Sequence, residues 1–209
     1  MDLELMRTPP PKERADAARN RAKVLEAAAG LFAEHGVESV SMDAVAARAG
    51  VGKGTLFRRF GDKAGLAVAL LDERERELQD AILSGPPPLG PGENADPADR
   101  LRAFAEAYLD YALAHLALVR MSETASPGAR YRIGAYRFWH RHVCLLLGPA
   151  RDPEALAHAL LAPLGAEHLT AMVEELGPER TRAGVRAIVE SLIDARIRPW
   201  VDPAVHPRP

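Results

Sequence analysis

With 209 residues, 47% of them hydrophobic, the chain can bury one good core, or one core and a small satellite domain, without covalent staples. The single cysteine, Cys144 among apolar neighbours, excludes an internal disulfide framework and fits an inert core thiol in a reducing compartment. The net charge of −2 is unevenly spread: residues 12–63 hold ten basic and seven acidic side chains, a local +3 that leaves −5 elsewhere, so a basic segment suited to a polyanion precedes an acidic body.

The opening "MDLELMRTPPPKERADAARN" contains no apolar run of signal-peptide length, and no later run reaches the ~20 residues of a membrane span. A soluble, cytoplasmic protein without a membrane partner is expected, with residues 1–18 as a flexible arm. Helical spacing then recurs, whereas alternating runs of β-branched residues are missing. Val24, Ala28, Leu31 and Phe32 share one face of a first helix, which ends at "EHG", where Gly36 suits a left-handed cap. Ser41 is a good N-cap for a short second helix with Met42, Val45, Ala46 and Ala49 as its apolar stripe. Gly50 ends it. After Val51 and Gly52 comes a third segment, 53–60, with Leu56 and Phe60 on one face and Arg58 and Arg59 pointing elsewhere. Asp62 can cap a fourth helix running to about Leu83.

Residues 84–97, "SGPPPLGPGENADP", are too rich in proline and glycine to be helical and form a loop. Asp96-Pro97 starts the next helix, whose Leu101, Phe104, Ala105, Tyr108, Ala112 and Leu116, with Leu109 and Leu113, predict an element surrounded by others. A break is expected over 115–122. Further helices are predicted over 129–147, 152–176 and 178–198, with the break between the last two at Gly177-Pro178. Residues 199–209 read as a flexible tail. The expectation is an all-α fold of about nine helices: a three-helix helix-turn-helix domain over 19–65, then a larger helical domain over 66–198.

The stretch "AGVGKGTLFRRF" supports two opposite functions. As a phosphate-cradling loop, residues 50–55 would need a buried strand before them, yet "SMDAVAARA" has helical spacing. The pattern G-x-x-x-x-G-K-[ST] also fails, because Ala47 replaces its first glycine and Gly54 its hydroxyl. As a helix-turn-helix, the two short helices and their glycine turn fit on both sides. Gly54 lets the backbone approach a phosphate, the Thr55 hydroxyl can bond phosphate or a base edge, and an arginine suits the paired acceptors of guanine. A nucleotide-binding enzyme and a helical protein-binding adaptor stay as the alternatives.

Residues 24–66 resemble the tetracycline-repressor-like (TetR/AcrR) transcriptional regulators. The matching positions are Leu31-Phe32, Gly36, Ser41, Val45-Ala46, Ala49-Gly50-Val51, Gly54-Thr55, Phe60, Lys63 and Leu66. The resemblance implies a homodimeric, ligand-responsive repressor that binds a palindromic double-stranded DNA operator. It places Ser41, Lys53, Gly54, Thr55 and Lys63 at phosphates or adjoining bases, Arg58 and Arg59 on the reading face, and Arg21 as an arm contact. Gly52 departs from the usual serine cap, and Phe57 from the usual tyrosine, so Phe57 is expected to pack. The helix from Asp62 is expected to carry a shift between two conformations that differ in the spacing of the reading helices.

The resemblance also makes the larger domain a ligand-binding and dimerisation domain for an unknown small-molecule effector. Phe104, Tyr108, Tyr111, Met121, Trp139, His140, His142 and Met172 are the residues read as lining a mostly apolar pocket with polar tips. On the last helix, Gly184, Val185, Ala187, Ile188, Ser191, Leu192 and Ala195 supply apolar and small side chains for a dimer face. In "HRHVC", His140 and Cys144 share a face but His142 points away, so neither a metal nor a cofactor is expected. No paired acids or nucleophile constellation argues for an enzyme.

Overall fold

The computed structural model describes residues 11–148, 150 and 152–197, with side chains described from 16 to 194 within them. The chain divides into two compact units, Met1–Leu70 and Leu71–Pro209. Among the described residues there are eleven α-helices and no strand.

The first unit holds α1 (Pro11–His35), α2 (Met42–Ala49), α3 (Lys53–Phe60) and the start of α4 (Lys63–Ser84). Residues 11–18, read from sequence as part of an arm, are the opening turns of α1, as suits a proline in first position followed by good helix formers. Val24, Ala28, Leu31 and Phe32 of α1 are buried together with Val45 and Ala46 of α2, Leu56 of α3 and Leu66 of α4. The caps follow sequence logic. Ser41 Oγ accepts the Ala44 amide at 3.1 Å, and Asp62 Oδ1 accepts the Gly65 amide at 2.8 Å. Gly50 takes φ 65°, which lets its amide close α2 on the carbonyls of Ala46 and Ala47. At the α3–α4 corner a Cβ on Gly65 would lie 1.9 Å from the Phe60 carbonyl oxygen, so only glycine admits this approach.

The second unit continues α4 and adds α5 (Pro97–Ala114), α6 (Leu116–Glu123), α7 (Ala129–Arg132), α8 (Gly134–Leu147), α9 (Pro153–Leu161), a 3-10 turn at Ala162–Leu164, α10 (Ala166–Leu176) and α11 (Pro178–Ile197). Asp96 and Asp152 cap α5 and α9, accepting the amides of Ala98 and Ala155. Leu101, Phe104, Tyr108 and Leu109 of α5 form the centre of a core with Trp139, Val143 and Leu147 of α8, Leu160 and Leu161 of α9, and Val185, Val189 and Ile193 of α11.

Three sequence expectations are corrected. The break over 115–122 shrinks to His115, and α6 resumes at once. The 129–147 segment is split at Ile133, whose ψ of 139° is extended. The 152–176 segment is interrupted because Pro163 has no amide to donate and Gly165 is extended before α10. The helix α5 packs against α6, α8 and α11, and ion pairs join its apolar contacts to α11. Arg102 pairs bidentately with Glu190 of α11 at 2.7 Å, and Glu106 accepts from Arg186. Residues 1–10 of the expected arm and the tail 199–209 lie outside the described residues.

Candidate functional site

In the first unit, α3 exposes Lys53, Gly54, Thr55, Phe57, Arg58 and Arg59 while burying Leu56. Leu56, one residue from each neighbour, fixes the helix's rotation by filling the core. Gly52 gives α3 no side-chain cap, so the amides of its first turn are satisfied only in part by the Gly52 carbonyl. The positive end of the helix dipole therefore lies open at Lys53 and Gly54. A Cβ on Gly54 would meet nothing within 4 Å, so nothing among the described residues demands glycine there.

The cationic side chains read as DNA contacts divide into two groups. Arg58 is exposed and has no hydrogen bond or ion pair among the described residues, and Thr55 is exposed beside it. Lys53 Nζ lies 2.8 Å from Asp43 Oδ2, both at the surface, and 5.8 Å from the Phe57 ring centroid. Arg59, by contrast, donates to the Ala17 carbonyl of α1 at 2.8 Å, and Lys63 donates to the carbonyls of Val37 and Glu38 at 3.0 and 2.8 Å. Both brace the unit. Ser41 spends one lone pair on its cap and keeps its proton, and Arg21 is half-buried on α1. Arg48 adds a bidentate bridge to Glu34 at 2.7 and 2.8 Å, tying α2 to α1. The bonded guanidinium holds the Glu34 carboxyl below its ordinary range.

Two features were not read from the sequence. Phe57, expected to pack, is 39% exposed; the i, i+4 spacing from Lys53 was the available signal. Asp43 as the partner of Lys53 carries no local signal, because the two meet only across the folded turn.

In the second unit, a cavity of about 10 Å³ is lined by Tyr108, Tyr111 and Trp139, with Glu75, Glu123 and Tyr136 among the other walls. Phe104 packs behind it in the buried core, 6.1 Å from the Trp139 ring. Met121, His140, His142 and Met172 do not line it. His142 is buried edge-on to Phe104 with Nε2 unpartnered, and burial pushes its pKa down to about 4. The His140 ring lies 4.0 Å from that of His158, whose Nδ1 lies 2.6 Å from the Tyr136 hydroxyl. Cys144 is buried, with Sγ 3.7 Å from His140 Nδ1. Among the described residues no group of three His, Cys, Asp or Glu is arranged to hold a metal ion.

Glu123 and Arg130 form a buried pair at 3.3 Å. The carboxylate also accepts the Ala166 amide at 2.7 Å, and the guanidinium donates to the Leu161 carbonyl at 2.7 Å, so most of their polar atoms are answered. Neither residue was singled out from sequence. On α11, Gly184, Ala187, Ile188 and Ser191 are exposed and Leu192 is half-buried, whereas Val185 turns inward with Val189. The side chain of Ala195 lies outside those described. No helix among the described residues is long and apolar enough to cross a membrane.

Residues 24–70 match the family described as bacterial regulatory proteins, tetR family. An HTH-type transcriptional regulator of Staphylococcus aureus is 49% identical over 69 residues, which cover 33% of this chain and 36% of that protein. The chain thus spans about a third of the length of the curated relatives it matches. The whole fold is similar to a TetR-family transcriptional regulator from Pectobacterium atrosepticum, with a TM-score of 0.62 and 25% identity over 90% of this chain and 99% of that one. A regulator-like protein from Saccharomonospora viridis, solved in complex with choline, superposes with a TM-score of 0.56 at 21% identity, covering 83% and 96% of the two chains.

Proposed function

We propose, from the match of residues 24–70 to the tetR family of bacterial regulatory proteins and the likeness of the fold to a TetR-family regulator, that the chain is a DNA-binding transcriptional regulator, a repressor that binds a palindromic operator as a homodimer and responds to a small molecule. The observation that carries the reading is the uncapped start of α3, where Gly54 leaves the backbone approachable and Thr55 and Arg58 are exposed and unengaged. In a helix-turn-helix the N-terminal part of the second helix, here Gly54 and Thr55, faces base edges in the major groove, and Arg58 follows Thr55 one turn along on the same face.

The assignments are unequal. Arg58 reads a base edge or phosphate, Lys53 exchanges its exposed Asp43 partner for a phosphate, and the Ser41 hydroxyl donates to the backbone. Phe57 gives an apolar contact to sugar or a thymine methyl, in the place of a phenol's hydrogen bond. Arg59 and Lys63 position the unit more than they read. Pairing through the exposed small-residue face of α11 would present two such heads to two half-sites. A small-molecule effector in the second unit is supported by its aromatic cavity and by the choline held in the Saccharomonospora neighbour.

Genomic fragments selected by the purified protein supply the operator for the test. Arg58→Ala is expected to weaken operator binding by ~1–3 kcal/mol and to relax specificity at one position, whereas Lys53→Ala weakens all sequences alike and reduces the salt slope by about 1. A flat response of affinity to salt, or no enrichment of any fragment, sinks the proposal.

A further inference from the structure

The cavity of the second unit is chemically lopsided. Three of its walls are the rings of Tyr108, Tyr111 and Trp139; Tyr108 meets the other two edge-on, with centroids 5.9 and 6.0 Å apart. A fourth is Glu75, half-buried on α4. Its carboxylate accepts the Tyr111 hydroxyl at 2.9 Å, and among the described residues no lysine, arginine or histidine lines the space. The nearby Glu123 has its own cation in Arg130 and a backbone amide besides; among the described residues Glu75 has neither. Burial raises the Glu75 carboxyl above its ordinary range, partly offset by the Tyr111 hydrogen bond, with Asp72 and Glu123 adding to the rise. A carboxylate placed this way destabilises the fold, which is a common mark of a group kept for binding.

We propose that this cavity is the effector site and that it takes a compact organic cation, a quaternary or protonated amine seated against Tyr108 and Trp139 in the place of the Tyr111 phenol, with Glu75 as its counter-ion. The proposal rests on reading this unit as the effector-binding body of a regulator. Aromatic faces attract a desolvated cation through their quadrupoles, and a cation also balances the charge of Glu75, which a neutral donor does not. A neutral apolar molecule leaves the carboxylate without a counter-charge; an anion is repelled by it. At about 10 Å³ the cavity has room for about one water, so the ligand enters by breaking the Tyr111–Glu75 hydrogen bond and turning the phenol aside. Tyr111 thus holds the place that the cation takes, and its movement is the local change that binding imposes.

The test is titration calorimetry on the full chain with choline, with tetraethylammonium and with 3,3-dimethylbutan-1-ol, the uncharged isostere of choline. At least one of the two cations should bind, choline at least tenfold more tightly than its isostere if it is the better fit. Glu75→Gln should remove the preference for charge while melting no lower than wild type. Tyr111→Phe keeps the ring, removes the competing hydroxyl and should bind the cation at least as tightly as wild type. Trp139→Phe, which keeps an aromatic wall, should retain more affinity than Trp139→Leu when both variants are folded. Binding of the isostere as tight as that of the better cation, unchanged cation binding in Glu75→Gln, or no cation binding by folded protein each overturns the proposal. Operator binding, measured on the same samples, separates the two readings. A protein that holds its operator and ignores cations loses only the cation site, and one that binds cations but no DNA loses only the regulator.

Discussion

In the first unit Lys53 and Asp43 meet with side chains 63% and 61% exposed, whereas in the second Glu123 and Arg130 meet with side chains 8% and 10% exposed. The same kind of contact serves opposite ends. Water screens the surface pair, whose members give up little on parting, so Lys53 is free to exchange a carboxylate for a phosphate. The buried pair cannot exchange partners, because either group left alone in the core is far more costly than the pair is favourable. Mobile charge suits a face that meets a polyanion. Fixed charge, with Glu75 beside it lacking a cation among the described residues, is what the proposed selection of a cation requires.

The sharpest way to break this comparison is to remove one member of the buried pair. Arg130→Leu strands Glu123 and also vacates the Leu161 carbonyl and the face of the Tyr136 ring, 5.3 Å away. A loss of about 3–5 kcal/mol in urea unfolding is expected. Adding Glu123→Gln should restore part of it, since a neutral amide still accepts the Ala166 amide hydrogen. If Arg130→Leu unfolds at the wild-type urea concentration, the pair is not buried in solution and the contrast between the units fails.

Acid provides the next probe of the same core. His142 is held neutral: its pKa falls from 6.5 to about 4 because burial penalises the imidazolium, with Arg100 adding to the effect. The unfolded chain therefore takes up a proton that the folded chain refuses. Stability from this residue is complete above pH 6.5 and is lost as the pH falls toward 4. His142→Phe, placed against Phe104, should lose less melting temperature than wild type between pH 7.5 and 5. Equal losses would show that His142 is protonated in the fold.

How much of this was legible in the sequence follows the same division between surface and core. The reading unit is built from local signals. The Ser41 and Asp62 caps, the Gly50 turn and the stripe through Val45 and Leu56 each act within a few residues, so spacing along the chain was enough. In the second unit the helix starts at Asp96 and Asp152 were equally plain, but the interruption at Pro163 was hidden inside a long helical period. The partners of the cavity are separated by long stretches of chain: Glu75 reaches Tyr111 across 36 positions and Glu123 reaches Ala166 across 43. Tertiary packing alone brings them together. An aromatic stripe on α5 predicted that rings would gather, yet nothing in it foretold which carboxylate they would face. The same limit applied to Arg58 and Arg59, which are adjacent and chemically identical. Only the fold reveals that the second is tied to the Ala17 carbonyl.

The smallest expected change in stability carries the most information about the surface face. A methyl group at Gly54 has free space on every side within the chain, because a Cβ there would touch nothing within 4 Å. Alanine is favoured over glycine in a helix by up to about 1 kcal/mol, and by less in the first turn, where the backbone is only partly committed. Gly54→Ala should therefore unfold at the same or a slightly higher urea concentration. On the reading proposed above, the glycine serves the duplex: its bare backbone lets the uncapped amides of α3 come within hydrogen-bonding distance of a phosphate, and a methyl group keeps them apart. Operator affinity should then fall by about tenfold, equivalent to ~1.4 kcal/mol, with stability unchanged or improved. Fluorescence anisotropy on a labelled operator and urea unfolding of the same preparation decide it. A loss of both would mean a folding defect; an affinity equal to wild type in a folded protein would mean that the start of α3 does not approach the DNA, and the face assigned to Thr55 and Arg58 would have to be moved.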